Sequence, residues 1–154
     1  MRCQNKLWAA PGGIDAIWAY LDDARIPVRL AGIASSGWPV VLSLWFLPES
    51  DAIWCATART AKIVSLLEAD GRCGFEVASE EMPYRGVRGQ ARATIHPDRG
   101  TIVLQSLIDR YLENRESPLA KWLLSRADNE MAIKLKILRY QSWDFSNRMA
   151  DETQ

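Results

Sequence analysis

The spacing of apolar residues along the 154-residue chain predicts helices at several points around a set of short strands. Residues 13–25 place large apolar side chains three and four positions apart, which predicts a helix. Residues 28–34 predict a strand, and residues 39–47 form a nearly continuous apolar run that is typical of a strand buried on both faces. A polar turn then leads into a third strand over residues 52–57, so we expect these three strands to form an antiparallel meander.

The rest of the chain alternates between helical and extended patterns. Further strands are predicted over residues 72–78, residues 84–95 and from residue 131 towards Trp143, and further helices after Thr57, from Pro97 and from Ser117. Gly86 and Gly89 in the fifth strand predict bulges or close backbone approach. Because the first three strands have no room for crossover helices, we predict an α+β, mainly β fold, a six-stranded antiparallel barrel with flanking helices.

Length and composition fit one domain, residues 1–154, with an N-terminal helical segment over residues 1–25 and a barrel core over residues 26–146. Nineteen basic residues balance nineteen acidic ones, which argues against nucleic-acid binding. No apolar run approaches the ~18 residues of a membrane span. Cys3, Cys55 and Cys73 show no paired spacing. We therefore expect reduced thiols in a cytoplasmic protein that binds neither nucleic acid nor membrane.

The stretch from Thr57 to Lys62 is the strongest functional signal. Two hydroxyls and two cations, those of Thr57, Thr60, Arg59 and Lys62, fall within six residues where a strand gives way to a helix. Helix starts have unpaired N–H groups and a positive dipole end, and their first turn normally favours acidic residues. Cations at this position instead indicate an anion site. The alternative is an ordinary helix cap with solvated surface cations, and the residues alone do not separate the two.

Two other strands carry further candidate contacts. If the phosphate end of a ligand sits at the corner, its flat part could lie along Ser43, Leu44 and Trp45 on the neighbouring strand. The alternative is that these residues belong only to the core. Tyr84, Arg85 and Arg88 lie on the fifth strand, where they could reach a ligand from a second subunit or be exposed charges on an edge strand.

No spacing in the sequence points to a metal site or a catalytic residue. His96 is the only histidine, and it precedes a proline at a predicted strand-to-helix turn. The chain contains no nucleophile elbow, Walker loop or Rossmann fingerprint. We therefore predict no metal and leave the catalytic residues unassigned.

The order of these motifs resembles that of the FMN-binding split barrels related to pyridoxamine 5'-phosphate oxidase. The resemblance rests on Val28-Arg29-Leu30-Ala31, Ser36-Gly37-Trp38-Pro39, Leu44-Trp45-Phe46, Trp54-Cys55-Ala56-Thr57, Lys62, Leu66-Leu67, Tyr84-Arg85-Gly86-Val87-Arg88-Gly89 and Trp143-Asp144. It covers roughly residues 26–146, and the order and spacing of the motifs carry it rather than any single one. It implies a homodimer with two flavins at the subunit interface.

The resemblance also implies roles for individual residues. Those that would hold the FMN phosphate are Thr57, Arg59, Thr60 and Lys62. Those beside the isoalloxazine ring would be Ser43, Leu44 and Trp45. Candidates for the partner-subunit side of the site are Tyr84, Arg85, Arg88 and Trp143.

The implied activity is that of an FMN-dependent oxidoreductase acting on a small molecule of open identity. The chain lacks the Arg-Leu-x-Pro ending of true pyridoxamine phosphate oxidases, so vitamin B6 oxidation is not implied. Relatives with Tyr-Arg-Gly-Val strands include flavin and deazaflavin reductases, and related split barrels bind haem. The alternatives are therefore a deazaflavin-dependent reductase on the same fold, FAD in place of FMN, or a flavin or haem carrier without catalysis.

Overall fold

The computed structural model describes residues 13–149, so Cys3 and the first residues of the predicted N-terminal segment lie outside the described part. The strands are β1 (Val28–Ile33), β2 (Pro39–Leu44), β3 (Leu47–Glu49), β4 (Ala52–Ala58), β5 (Arg72–Ala78), β6 (Arg85–His96) and β7 (Glu130–Asp144). The helices are α1 (Gly13–Asp23), α2 (Lys62–Ala69), α3 (Gly100–Tyr111), α4 (Pro118–Ser125) and α5 (Ser146–Met149). The strands pair in the order β2-β1-β5-β6-β7-β4-β3, and each pair is antiparallel. The α+β, mainly β prediction is confirmed.

The predicted meander of the first three strands is wrong. β2 pairs with β1, whereas β4 pairs along its whole length with β7. The chain leaves β2 because Phe46 turns into the core, where it is fully buried, and its N–H donates to the Tyr111 hydroxyl at 3.2 Å. The short β3 then pairs with β4, so the sheet has seven strands rather than six.

The prediction that residues 39–47 form a strand buried on both faces is also wrong. β2 lies at the edge of the sheet, and its residues alternate between exposed and half-buried. Leu42 and Leu44 pack against the core, while Val41 is 65% exposed on the other face. β2 is therefore apolar on both faces, but only the face towards the core is covered by the rest of the chain.

The main core fills the inside of the curved sheet and is closed by two helices. α1 contributes Ile17 and Leu21 and lies near the β5–β6 connection, where the Tyr20 hydroxyl meets the Val77 carbonyl at 3.4 Å. α2 contributes Ile63 and Leu67 beside Gly32, towards the opposite end of β5 and β6.

Between residues 13 and 149, no helix is long and apolar enough to cross a membrane.

β6 and β7 come unusually close in the middle of the sheet. An added Cβ at Gly89 would overlap the carbonyl oxygen of Arg139, so only glycine fits there without a shift. Gln90 pairs with Arg139 and Ala91 pairs with Ile137, which leaves Leu138 as an extra residue in a bulge. The close approach predicted for this strand is therefore present at Gly89.

Candidate functional site

The corner between β4 and α2 is held by backbone hydrogen bonds. The Arg59 N–H donates to the Asn129 carbonyl at 2.7 Å, which ties the corner to the residue before β7. The Ala61 N–H donates to the Ala58 carbonyl at 2.9 Å and closes the turn. Because the main chain alone fixes this geometry, the side chains of the corner are not needed to hold it.

The four predicted phosphate ligands lie together at this corner. Thr57 is half-buried near the end of β4, and Arg59, Thr60 and Lys62 are exposed. Neither Arg59 nor Lys62 forms an ion pair with any residue from 13 to 149. The corner therefore presents two uncompensated cations next to two hydroxyls.

The start of α2 has no side-chain cap. Its N-cap residue, Ala61, is extended and offers no acceptor, and the first turn contains no acidic residue. The Val64 N–H bonds back to the Ala61 carbonyl at 3.0 Å, and helix geometry points the N–H groups of Lys62 and Ile63 out of the helix end. The dipole, the open N–H groups and the cations all favour an anion here, so the residues present fit a phosphate group.

A second helix start in the same chain shows the usual arrangement. α4 begins with Pro118 at its first position, and the Ser117 hydroxyl accepts a hydrogen bond from the Ala120 N–H at 3.2 Å. The corresponding position of α2 is Ala61, whose side chain has no acceptor. The contrast sets the corner apart from an ordinary capped helix.

The three ring-side candidates on β2 and after it differ in their surroundings. Ser43 is exposed and pairs with Arg29, on the outward face of the sheet. Leu44 packs against the main core. Trp45 stacks on Tyr111 with ring centroids 4.9 Å apart and packs against the cluster around Trp54. The side chains of Leu44 and Trp45 are therefore engaged inside the protein, and the unpaired edge of β2 offers backbone groups instead.

The candidates for the partner-subunit side of the site lie around the start of β6 and the end of β7. The Arg88 guanidinium lies 5.0 Å from the centre of the Trp143 ring and donates to the Gln141 side chain at 3.3 Å. The Arg85 guanidinium lies 5.2 Å from the centre of the Tyr20 ring. Tyr84 is exposed just before β6.

One chain does not bring the corner and this far cluster together. Thr57 pairs with Met131 near the start of β7, whereas Gly86 pairs with Trp143 near its end. At about 3.3 Å per residue, roughly 40 Å of strand separates the two pairs. Within one chain, the corner and this cluster therefore lie at opposite ends of β7.

The two described thiols do not supply a reactive group at neutral pH. Burial raises the pKa of the Cys73 thiol to about 11, and burial with a smaller contribution from Cys73 raises the pKa of Cys55 further. Both therefore stay protonated at neutral pH. The His96 ring is held 2.8 Å from the Thr94 hydroxyl and edge-on to Trp54. Residues 13–149 contain no group of three or more metal-ligating side chains.

Sequence reasoning missed a groove that the described strands form together. This groove of about 610 Å³ lies on the outward face of the sheet and includes Arg29, Arg88 and Arg139 in its lining. Of these, only Arg88 was a sequence candidate. The signal that could have found the others is the recurrence of basic residues at alternate positions of the strands, as at Lys134 and Lys136 in β7.

Solved structures share this architecture over nearly the whole chain. A conserved hypothetical protein from Mycobacterium tuberculosis aligns with a TM-score of 0.76 and 19% identity, over 92% of this chain and 90% of its own. A pyridoxamine 5'-phosphate oxidase-like protein from Listeria innocua aligns with a TM-score of 0.64 and 11% identity, over 83% of this chain and 95% of its own. The chain has the pyridoxamine 5'-phosphate oxidase-like split-barrel fold.

An F420 reductase has the same split-barrel fold. It aligns with a TM-score of 0.68 and 18% identity, over 86% of this chain and 98% of its own. At such identities the likeness shows a shared fold rather than a shared activity. No protein-family model and no curated protein sequence matches this split barrel.

Proposed function

We propose that this split barrel is a flavin-binding oxidoreductase that holds FMN and acts on a small molecule. The observation that carries the proposal is the uncapped start of α2, where Arg59 and Lys62 have no ion pair within the described chain. A phosphate monoester provides the acceptor oxygens and negative charge that such a site favours.

Each corner residue has a distinct task in this proposal. Arg59 can place its planar fork on two phosphate oxygens, and Lys62 adds a point charge at the helix end. The Thr57 and Thr60 hydroxyls donate further hydrogen bonds. The free edge of β2 near Ser43 and Leu44 orients the flat ring through backbone groups. The bound flavin would supply hydride transfer, for which the protein provides position and electrostatics.

We also propose that a second copy of the chain completes the site. The separation of the corner from the Arg88–Trp143 cluster along β7 supports this arrangement. The outward face of β2 and its hairpin supports it too, because Trp38 is 75% and Val41 65% exposed. In such a homodimer, Tyr84, Arg85, Arg88 and Trp143 of one copy approach the corner of the other.

A deazaflavin-dependent reductase is the second candidate. Two observations support it: an F420 reductase has the same fold, and this chain has basic side chains outside the corner between β4 and α2. A coenzyme with a longer anionic tail would need those cations, and Arg85 and Arg88 are exposed to provide them. For either coenzyme we propose a cytoplasmic location, because Cys55 and Cys73 are both unpaired thiols.

The absorption spectrum of the purified full-length chain tests the proposal. A band near about 450 nm, with FMN identified by mass after acid extraction, is the expected result. Extraction of a deazaflavin would favour the second candidate. Bleaching by NADH or NADPH without oxygen, followed by recovery in air, would separate an enzyme from a carrier. A protein that contains no coenzyme and takes up neither FMN nor a deazaflavin on titration would contradict both candidates.

A further inference from the structure

A shallow trough crosses the outward face of the sheet. Cross-strand pairing places the outward side chains of neighbouring strands in three adjacent rows. In order, the rows are Arg29–Glu76–Arg88–Gln141, Ala31–Gly74–Gln90–Arg139 and Arg72–Arg92–Lys136. Residues between these rows, such as Leu30, Phe75 and Ala91, point into the core and are buried.

Ala31 and Gly74 form the floor in the middle row because they are small, whereas the longer Gln90 and Arg139 stand at the other end of that row. Long charged side chains stand in the rows on both sides, each about 7 Å from the floor row, so the flanking rows are about 14 Å apart. The groove of about 610 Å³ described above occupies the floor and the Arg29–Arg88 side. This volume lies within the range of small-molecule sites, about 300–1,000 Å³.

The charges along the trough are strongly one-sided. Its three rows contain six basic side chains and one acidic one, Glu76, although the whole chain is neutral. Like charges directly opposite each other in a sheet are destabilising, and Arg92 lies between Arg72 and Lys136. An anion bound beside Arg92 and Lys136 would reduce this repulsion.

Local partners neutralise only part of this charge. Arg29 pairs with Glu80 at 2.8 Å and Arg72 with Asp70 at 2.7 Å. Within the described range of the chain, Arg92, Lys136 and Arg139 form no ion pair. The trough therefore keeps a net positive charge next to a flat floor of small residues.

We propose that the trough binds a planar small molecule that carries several negative charges, of the aromatic polycarboxylate or polysulfonate class. Its flat body lies over Ala31 and Gly74, and its charged groups pair with Arg88, Arg92 and Arg139. Arginine suits this role because its planar fork matches carboxylate geometry and stacks on aromatic faces. Ser43 lies opposite Arg29, so the trough adjoins the β2 edge. Its use as the substrate site rests on the proposed flavin function, but binding itself does not.

A fluorescent probe of this chemistry tests the proposal on the full chain. We expect 8-hydroxypyrene-1,3,6-trisulfonate to bind saturably in a fluorescence anisotropy titration. The variant Arg88→Gln/Arg139→Gln should weaken its binding by about tenfold or more, the loss expected for one or two charged hydrogen bonds. The matched control Arg126→Gln removes an exposed arginine of the α4 end and should leave binding unchanged. Arg59→Ala/Lys62→Ala should weaken probe binding far less than Arg88→Gln/Arg139→Gln does, which separates the trough from the flavin corner.

Three results would overturn the proposal. Competition by inorganic tripolyphosphate as strong as that of naphthalene-1,3,6-trisulfonate, a planar trisulfonate that does not fluoresce at the wavelengths of the probe, would show a general basic patch. Unchanged probe affinity in Arg88→Gln/Arg139→Gln, with dimer dissociation in sedimentation, would assign the face to a second copy of the chain. NMR of the wild-type protein gives a test that does not depend on the folding of a variant. The amide shifts caused by the probe should centre on Ala31 and Gly74. Shifts centred elsewhere would place the probe at a different site.

Discussion

The ring of Trp45 stacks face to face on the ring of Tyr111, with centroids 4.9 Å apart and planes inclined by 4°. The Tyr111 hydroxyl donates to the Ile26 carbonyl at 3.0 Å and accepts from the Phe46 N–H at 3.2 Å. Burial raises the pKa of Tyr111, so the phenol keeps its proton at neutral pH. The Tyr111 side chain of α3 therefore fixes the bend that ends β2. The same contacts hold the edge of β2 that is proposed to orient the flavin ring.

We expect Tyr111→Phe to lower the free energy of unfolding by about 1–3 kcal/mol. The variant keeps the stacked ring but leaves the Ile26 carbonyl and the Phe46 N–H without their partner. Urea denaturation measures the change. Tyr84→Phe is the matched control, because Tyr84 is exposed, and its effect should stay within about 0.5 kcal/mol. Equal stability losses in the two variants would show that the Tyr111 hydroxyl does not hold the bend.

The bend also shows why strand pairing was harder to predict than the strands themselves. Local pattern located six of the seven strands to within a few residues and missed only the short β3, because alternation and turn residues are properties of neighbouring positions. The pairing of β4 with β7 depends on contacts far apart in sequence, and the Phe46–Tyr111 hydrogen bond spans 65 positions. The spacing within β2 gave no sign of that contact.

We expect Gly89→Ala to lower the free energy of unfolding by about 3 kcal/mol, the upper part of the overpacking range. The new methyl group would overlap the Arg139 carbonyl oxygen, and a backbone group cannot move aside as a flexible side chain can. Gly74→Ala is the control, because its nearest neighbours would lie 3.7 Å away, in ordinary contact. Thermal unfolding of both variants measures the difference. If both proteins unfold at the same temperature, β6 and β7 do not approach as closely as described.

The part of the candidate site whose residues are close together in sequence could be predicted. Thr57, Arg59, Thr60 and Lys62 fall within one short turn, so sequence order alone placed them together. The trough was not predictable, because Arg29, Arg88 and Arg139 come from three strands whose registers bring them together. Only the register revealed that charged rows flank a floor of small residues.

Lys62→Glu should change stability and flavin affinity in opposite directions. Lys62 is the first residue of α2, where an acidic side chain stabilises the helix end by about 0.3–1 kcal/mol. The same carboxylate would repel a phosphate, so we expect FMN affinity to fall by at least about tenfold. Urea denaturation of the flavin-free protein and FMN titration measure the two effects. Lys62→Gln should lie between the wild type and Lys62→Glu in both measurements. An unchanged FMN affinity in Lys62→Glu would argue that the helix end meets no anion.

The phosphate contribution to flavin binding is the difference in affinity between FMN and riboflavin, which lacks the phosphate. Titration of the wild-type protein should show a preference for FMN of roughly a hundredfold, as expected for two charged hydrogen bonds. In Arg59→Ala/Lys62→Ala most of this preference should disappear, while riboflavin affinity stays the same. The control Lys121→Ala, on the exposed face of α4, should retain the wild-type preference. If Arg59→Ala/Lys62→Ala still prefers FMN as strongly as the wild type, the corner between β4 and α2 is not the phosphate site.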